Sequence, residues 1–144
     1  MNVLVIYNSR TGNTQQAAEA IAQAVRDQNH LVTVKSVSQI QKADVENAEV
    51  LFVGTWVQGL ILFRVRPAGA ELWVPTLPSL AGKPVGIFCT YAFHPRGSLD
   101  ALGRMLEEKG ATIMGQHAFH QRNPDNGAAE FAQRILQSAE QTLT

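Results

Sequence analysis

Apolar positions along the chain fall into two alternating patterns. Val3-Leu4-Val5-Ile6-Tyr7 is a continuous apolar, β-branched run, as expected for a strand covered on both faces. From Thr14 onward the pattern becomes a stripe at Ala17, Ala18, Ile21, Ala22 and Val25, which is helical spacing with one inward side. Leu31 to Val37 reads as a second strand, the stretch to Ala48 as a short polar segment, and Val50-Leu51-Phe52-Val53 as a third strand. Val85-Gly86-Ile87-Phe88-Cys89 is a fourth, and Ala111 to Phe119 a weaker fifth. Leu99, Leu102 and Leu106, then Ala128, Phe131, Ile135 and Leu136, mark two further helices. Gly110 is placed to stop the first of these, and Asp125 or Asn126 to cap the second. Pro67, Pro75 and Pro78 interrupt the stretch from Thr55 to Gly82, which reads as a loop with a short, broken helix.

Strands that alternate with helices need crossover connections, and these are right-handed. The expected fold is therefore α/β, an open and mostly parallel sheet with helices on both faces. No repeat, low-complexity tract or linker interrupts it, so residues 1–144 are expected to form a single domain. Composition narrows the function classes. With 45% hydrophobic and 17% charged residues, the chain is too apolar to be disordered. One cysteine, Cys89, excludes an internal disulfide and a cysteine-based zinc cage. Twelve bases balance twelve acids, so no long-range field draws nucleic acid or an anionic membrane. Purely apolar runs reach only about five residues, against the ~20 a membrane span requires. No membrane insertion and a cytoplasmic location are expected.

In such a sheet, ligands lie outside the carboxyl ends of the strands, where strand order reverses. The first loop there is Ser9-Arg10-Thr11-Gly12-Asn13-Thr14, directly before a helix. Three hydroxyls alternate with small or polar residues, and Gly12 lets the backbone turn tightly. The helix start adds free N–H groups and the positive end of a dipole. This is a phosphate cradle that needs little side-chain charge. It lacks the lysine of triphosphate loops and the G-x-G-x-x-G of dinucleotide folds. The plainer alternative is a hydroxyl-rich turn that only caps the helix.

Ser9-x-Thr11-Gly12-x-Thr14 resembles the phosphate loop of the flavodoxin family, whose cofactor is flavin mononucleotide (FMN). The resemblance covers essentially the whole chain, in the short-chain form without a long insertion in the last strand. It implies a flavodoxin-like three-layer α/β/α sandwich whose five-stranded parallel sheet has the order 2-1-3-4-5. It also implies that the hydroxyls of Ser9, Thr11 and Thr14, with N–H groups from Arg10 through Gly12 and Asn13 to Thr14, hold the FMN phosphate. The loop after strand three, Gly54-Thr55-Trp56-Val57-Gln58-Gly59-Leu60, is similar to one in which a glycine peptide turns to hydrogen-bond the reduced flavin ring. Aligned without gaps, that glycine is Gly59, Gln58 falls on the inner ring face, and Trp56 lies toward the phosphate. With one gap, Trp56 covers the ring instead. Thr55, Trp56, Val57, Gln58 and Gly59 are the cofactor-binding candidates in either case. The loop after strand four, Thr90-Tyr91-Ala92-Phe93-His94-Pro95-Arg96-Gly97, resembles the second ring-binding loop. There the resemblance puts Phe93 on the outer ring face, with Tyr91 as the alternative, and Thr90, Ala92, His94 and Gly97 as neighbours. A ring-on-ring contact contributes about 0.5–1.5 kcal/mol beyond burial.

The chain departs from the family in charge. Many relatives are strongly acidic around the flavin, whereas from Thr55 to Gly97 the single acid Glu71 stands against Arg64, Arg66, Lys83 and Arg96. Leu60-Ile61-Leu62-Phe63 takes the place of acids after the loop glycine. If exposed, this run suits a redox partner protein, a homodimer mate or a small quinone-like molecule; if buried, it packs on the rim. Electron transfer through bound FMN is the leading expectation, with no side chain required as a catalytic acid or base. A small FMN-dependent reductase or dehydrogenase acting on a quinone-like substrate is the alternative. A binding module that keeps the fold with weak or no flavin is the third, opened by Gln58. Cys89, inside a predicted strand, reads as an inert core thiol. His117 and His120 have odd spacing on a strand and are expected on opposite faces, so they do not share a metal.

Overall fold

Five parallel strands run through the computed structural model, which describes residues 1–58, 66–67, 69–95 and 97–143, with the backbone alone at 58, 66 and 67. They are β1 (Asn2–Asn8), β2 (Leu31–Ser36), β3 (Val50–Gln58), β4 (Pro84–Tyr91) and β5 (Thr112–His120). Their order across the sheet is β2-β1-β3-β4-β5. The helices are α1 (Asn13–Asp27), α2 (Lys42–Asn47), α3 (Ala70–Trp73), α4 (Ser98–Glu108) and α5 (Ala128–Leu143). Successive side chains of a strand point to opposite faces, and both faces are covered here. Val3, Val5, Val50, Phe52 and Phe88 pack with Ile21 and Val25 of α1 and with Phe131 and Ile135 of α5. Leu4, Ile6, Leu51, Val53, Ile87 and Cys89 pack with Val45 of α2 and with Leu102 and Leu106 of α4. Two-sided burial explains why the three central strands read as unbroken apolar runs.

Several boundaries differ from the sequence expectation, each for a local reason. The polar segment before Ala48 contains α2. Its start is fixed by Asp44, whose carboxylate accepts the Gln41 N–H at 2.8 Å. Both Asp44 oxygens also lie 2.9 Å from Lys35 Nζ. The Lys35 hydrogen bond, followed by that of Gln41, holds the Asp44 carboxyl below its ordinary range. A six-residue helix with one buried apolar residue, Val45, is too short to show a helical period. The stretch from Thr55 to Gln58 is strand rather than loop. Thr55 and Trp56 stand in register with Cys89 and Thr90, and Val57 and Gln58 pair antiparallel with Pro67 and Arg66. Likewise β4 runs on through Thr90 and Tyr91, which pair with Phe119 and His120. Threonine, tryptophan, valine and tyrosine all suit a pleated surface. At α5, the Phe131 N–H donates to the Gly127 carbonyl at 3.0 Å, so Gly127 takes the capping place expected of Asp125 or Asn126. Its φ of 89° is one that glycine adopts freely, and a Cβ there would stand 2.8 Å from His117 Nε2. Gly110 follows α4 as expected, and α3 with the turn after it is the short broken helix read from the prolines. Among the described residues no helix is long and apolar enough to cross a membrane.

Candidate functional site

The end of β1 hands the chain to α1 through Ser9 to Gly12. Gly12 adopts φ 98° and ψ −9° and precedes the first helical residue. Its carbonyl accepts the Gln16 N–H at 2.9 Å, so the helix starts as soon as the turn is made. Ser9 Oγ accepts N–H groups from Gly12 at 3.1 Å and Gln15 at 3.4 Å. The serine hydroxyl therefore occupies donors that the cradle would present to an anion. Asn13 Nδ2 donates to Thr11 Oγ1 at 3.4 Å. No acid lies in the first turn of α1, so its positive end is not locally neutralised. Thr14 is turned inward, 1% exposed, with Oγ1 2.7 Å from Thr90 Oγ1.

The wall formed by β3 divides its residues. Thr55 is buried, and its hydroxyl accepts Asn8 Nδ2 at 3.1 Å, tying the ends of β1 and β3 together. Trp56 is half-buried and lies beneath the Arg10 guanidinium, whose carbon is 5.3 Å from the ring centroid. That contact joins Trp56 to the Ser9–Thr14 loop. Val57 is half-buried at the end of the same wall. The Gln58 side chain, Gly59, the Leu60–Phe63 run, Arg64 and Arg96 lie outside the described residues.

The second wall follows β4. Tyr91 is engaged by β5, edge-on to His120 with centroids 5.1 Å apart. Phe93 is 57% exposed, while Ala92 beside it is also exposed. Of the two aromatics, Phe93 is the more exposed. His94 is half-buried with Nδ1 buried and without a hydrogen-bond partner. Gly97, at φ 67°, begins α4. Residues 8–14, 55–58 and 90–97 contain no carboxylate. The sequence reading missed Asn8 and the turn after β2. Asn8, Ser9, Arg10, Gln15, Ser36 and Ser38 line a depression of about 280 Å³ beside the phosphate loop. Ser36 and Ser38, 2.9 Å apart through their hydroxyls, stand at the carboxyl end of another strand and were accessible to the same positional rule.

Two further readings find their surroundings. His117 stacks on Phe131 and reaches the Asn126 carbonyl at 3.3 Å, whereas His120 meets Tyr91. Cys89 is 1% exposed, and burial pushes its thiol up to about 12. At neutral pH it is protonated and shielded. The native protein is expected to give no colour with an aromatic disulfide reagent and one thiol per chain after denaturation; rapid native reaction would place Cys89 outside the core.

The family model described as a flavodoxin domain matches residues 4–122. The flavodoxin of Maridesulfovibrio salexigens is 31% identical over 124 residues, 78% of this chain and 80% of the relative. That of Megasphaera elsdenii is 31% identical over 127 residues, covering 86% and 89%. The solution structure of two-electron reduced Megasphaera elsdenii flavodoxin superimposes with a TM-score of 0.78 at 28% identity, over 94% of this chain and 98% of that one. With the strand order and the loop chemistry, these matches establish that the chain belongs to the flavodoxin family.

Proposed function

We propose that the chain binds FMN between the Ser9–Thr14 loop and the walls ending β3 and β4, and carries electrons with it. Flavodoxin family proteins bind FMN and transfer electrons to redox partner proteins. One observation supports this siting most directly: uncharged donors at an unneutralised helix start are tied through Thr14 to Thr90, three residues before an exposed aromatic ring, with no carboxylate in any of the three segments. A phosphate dianion fits the first feature and a flavin ring the second. Nothing lies within 4 Å of the point where a Gly12 side chain would begin, so the cradle is open to a ligand. The flavin, when bound, supplies the redox chemistry. Ser9, Thr11, Thr14 and the N–H groups from Arg10 to Thr14 would hold its phosphate, and Arg10 on Trp56 would add a positive charge near it. Phe93 would cover the outer ring face; aligned without gaps, Gln58 would meet the inner face and the Gly59 peptide the reduced ring, and with one gap Trp56 would take the inner face.

Charge sets the expected potential. A carboxylate ~4–8 Å from the ring, at an effective dielectric of ~20, disfavours the fully reduced anion by roughly 2–4 kcal/mol. Here such carboxylates are replaced by neutral or basic residues. An FMN titration followed by stepwise dithionite reduction tests both parts. The expected results are quenching of FMN fluorescence, then a final reduction potential less negative than in acidic relatives. Absence of quenching would leave a binding module without flavin, and a very negative final potential would remove the charge argument.

The sequence of Leu60–Phe63 supports a second reading. In that reading the run faces a quinone-like substrate or a second copy of the chain. Turnover of quinones with NAD(P)H in the absence of a separate reductase would support the enzyme; turnover only through a reductase supports the carrier. A single domain over residues 1–144 and cytoplasmic residence belong to the same proposal.

A further inference from the structure

We infer that Thr90 is a positioning residue that aims the Thr14 hydroxyl at the cofactor phosphate, an inference resting on the FMN reading above. The two residues are 76 positions apart in sequence, and their Oγ1 atoms are 2.7 Å apart in a buried contact. Thr14 is 1% and Thr90 3% exposed, so water does not serve either hydroxyl freely. Two hydroxyls carry two hydrogens. Their mutual bond uses one. The other finds no acceptor among the described residues. A buried donor without an acceptor is costly, so the pair is suited to give one O–H to a bound acceptor.

Position decides which hydroxyl gives it. Thr90 lies in β4 and is held on both sides, by Trp56 of β3 and Phe119 of β5. Thr14 lies in the first turn of α1, two residues after Gly12, at the positive helix end where an anion is favoured. With Thr90 donating to Thr14 Oγ1, the Thr14 O–H would be left to meet a phosphate oxygen. Both side chains are β-branched and stiff at χ1, so the direction is fixed before the ligand arrives. Thr90 also stands three residues before Phe93. The same residue thus links the phosphate grip to the strand that leads into the ring wall.

The test compares FMN with riboflavin, which lacks the phosphate. Kd values for both are measured by fluorescence quenching on the wild type, on Thr90→Val, Thr90→Ser and Thr14→Val, and on the double variant Thr14→Val/Thr90→Val. Thr90→Val should lower the preference for FMN over riboflavin about tenfold, with FMN affinity falling more than riboflavin affinity. Thr90→Ser should keep the preference, and Thr14→Val/Thr90→Val should be no worse than Thr14→Val alone. An unchanged preference in Thr90→Val, or equal loss for both ligands, overturns the inference. If Thr90→Val does not give a native circular-dichroism spectrum, Thr90→Ala is judged by the same ratio. A wild type that binds riboflavin as well as FMN would instead overturn the phosphate reading, and this inference with it.

Discussion

Gly12→Val should weaken FMN binding about 100-fold or more while the sheet and helices remain formed. At φ 98° the turn holds Gly12 in a left-handed conformation that is most unfavourable for a β-branched residue. Strain of this kind costs about 1–3 kcal/mol. Steric clash in the free protein is not the cause, since nothing lies within 4 Å of an added Cβ. The loop relieves the strain only by rotating, which swings the Gly12 N–H away from its present direction. The valine methyls then enter the open volume where the phosphate oxygens are expected. Alanine, with strain but less bulk, should fall between glycine and valine. Fluorescence titration with FMN gives the order directly, and equal affinities across the three would remove this loop from the site.

Gly54→Ala should lower the thermal midpoint by roughly 3–12 °C, the range expected from an overpacking cost of about 1–3 kcal/mol in a domain of this size. A Cβ at Gly54 would overlap Cε2 and Cζ of the Phe88 ring. Phe88 is fully buried and lies edge-on to Phe119 at a centroid distance of 6.1 Å, so its ring has no free space to enter. The second change Phe88→Leu should recover part of the loss, because the two sites share one volume. A midpoint unchanged by Gly54→Ala in a thermal melt would show that the ring can shift and would contradict the packing described.

The central strands and the three long helices were legible because each carries a regular apolar period: Val3 to Tyr7 on one side, Ala17 to Val25 on the other. The strand order came from resemblance, since period alone does not rank strands within a sheet. Short elements were less legible. The α2 helix depends on Asp44 reaching Lys35 across nine residues, a contact that no local pattern announces. The end of β3 was misread because Thr55 and Trp56 look like loop residues until their pairing with β4 is known. At the site, the hydroxyl loop was readable from Gly12 and its neighbours. The inward turn of Thr14 toward Thr90 and the seat of Arg10 on Trp56 were not, because both join residues distant in sequence.

The length of β3 and β4 has a consequence for rate. Residues 55–56 and 90–91 are held in strand pairing on the sheet rather than on free loops, and strands fix side chains more closely than loops do. A carrier gains or loses charge faster than its scaffold can move, so every ångström of subsequent settling adds to the reorganisation energy of the transfer. On the siting proposed above, mounting part of the cavity on stiff β-structure keeps that settling small, and exchange stays quick even when driving force is slight.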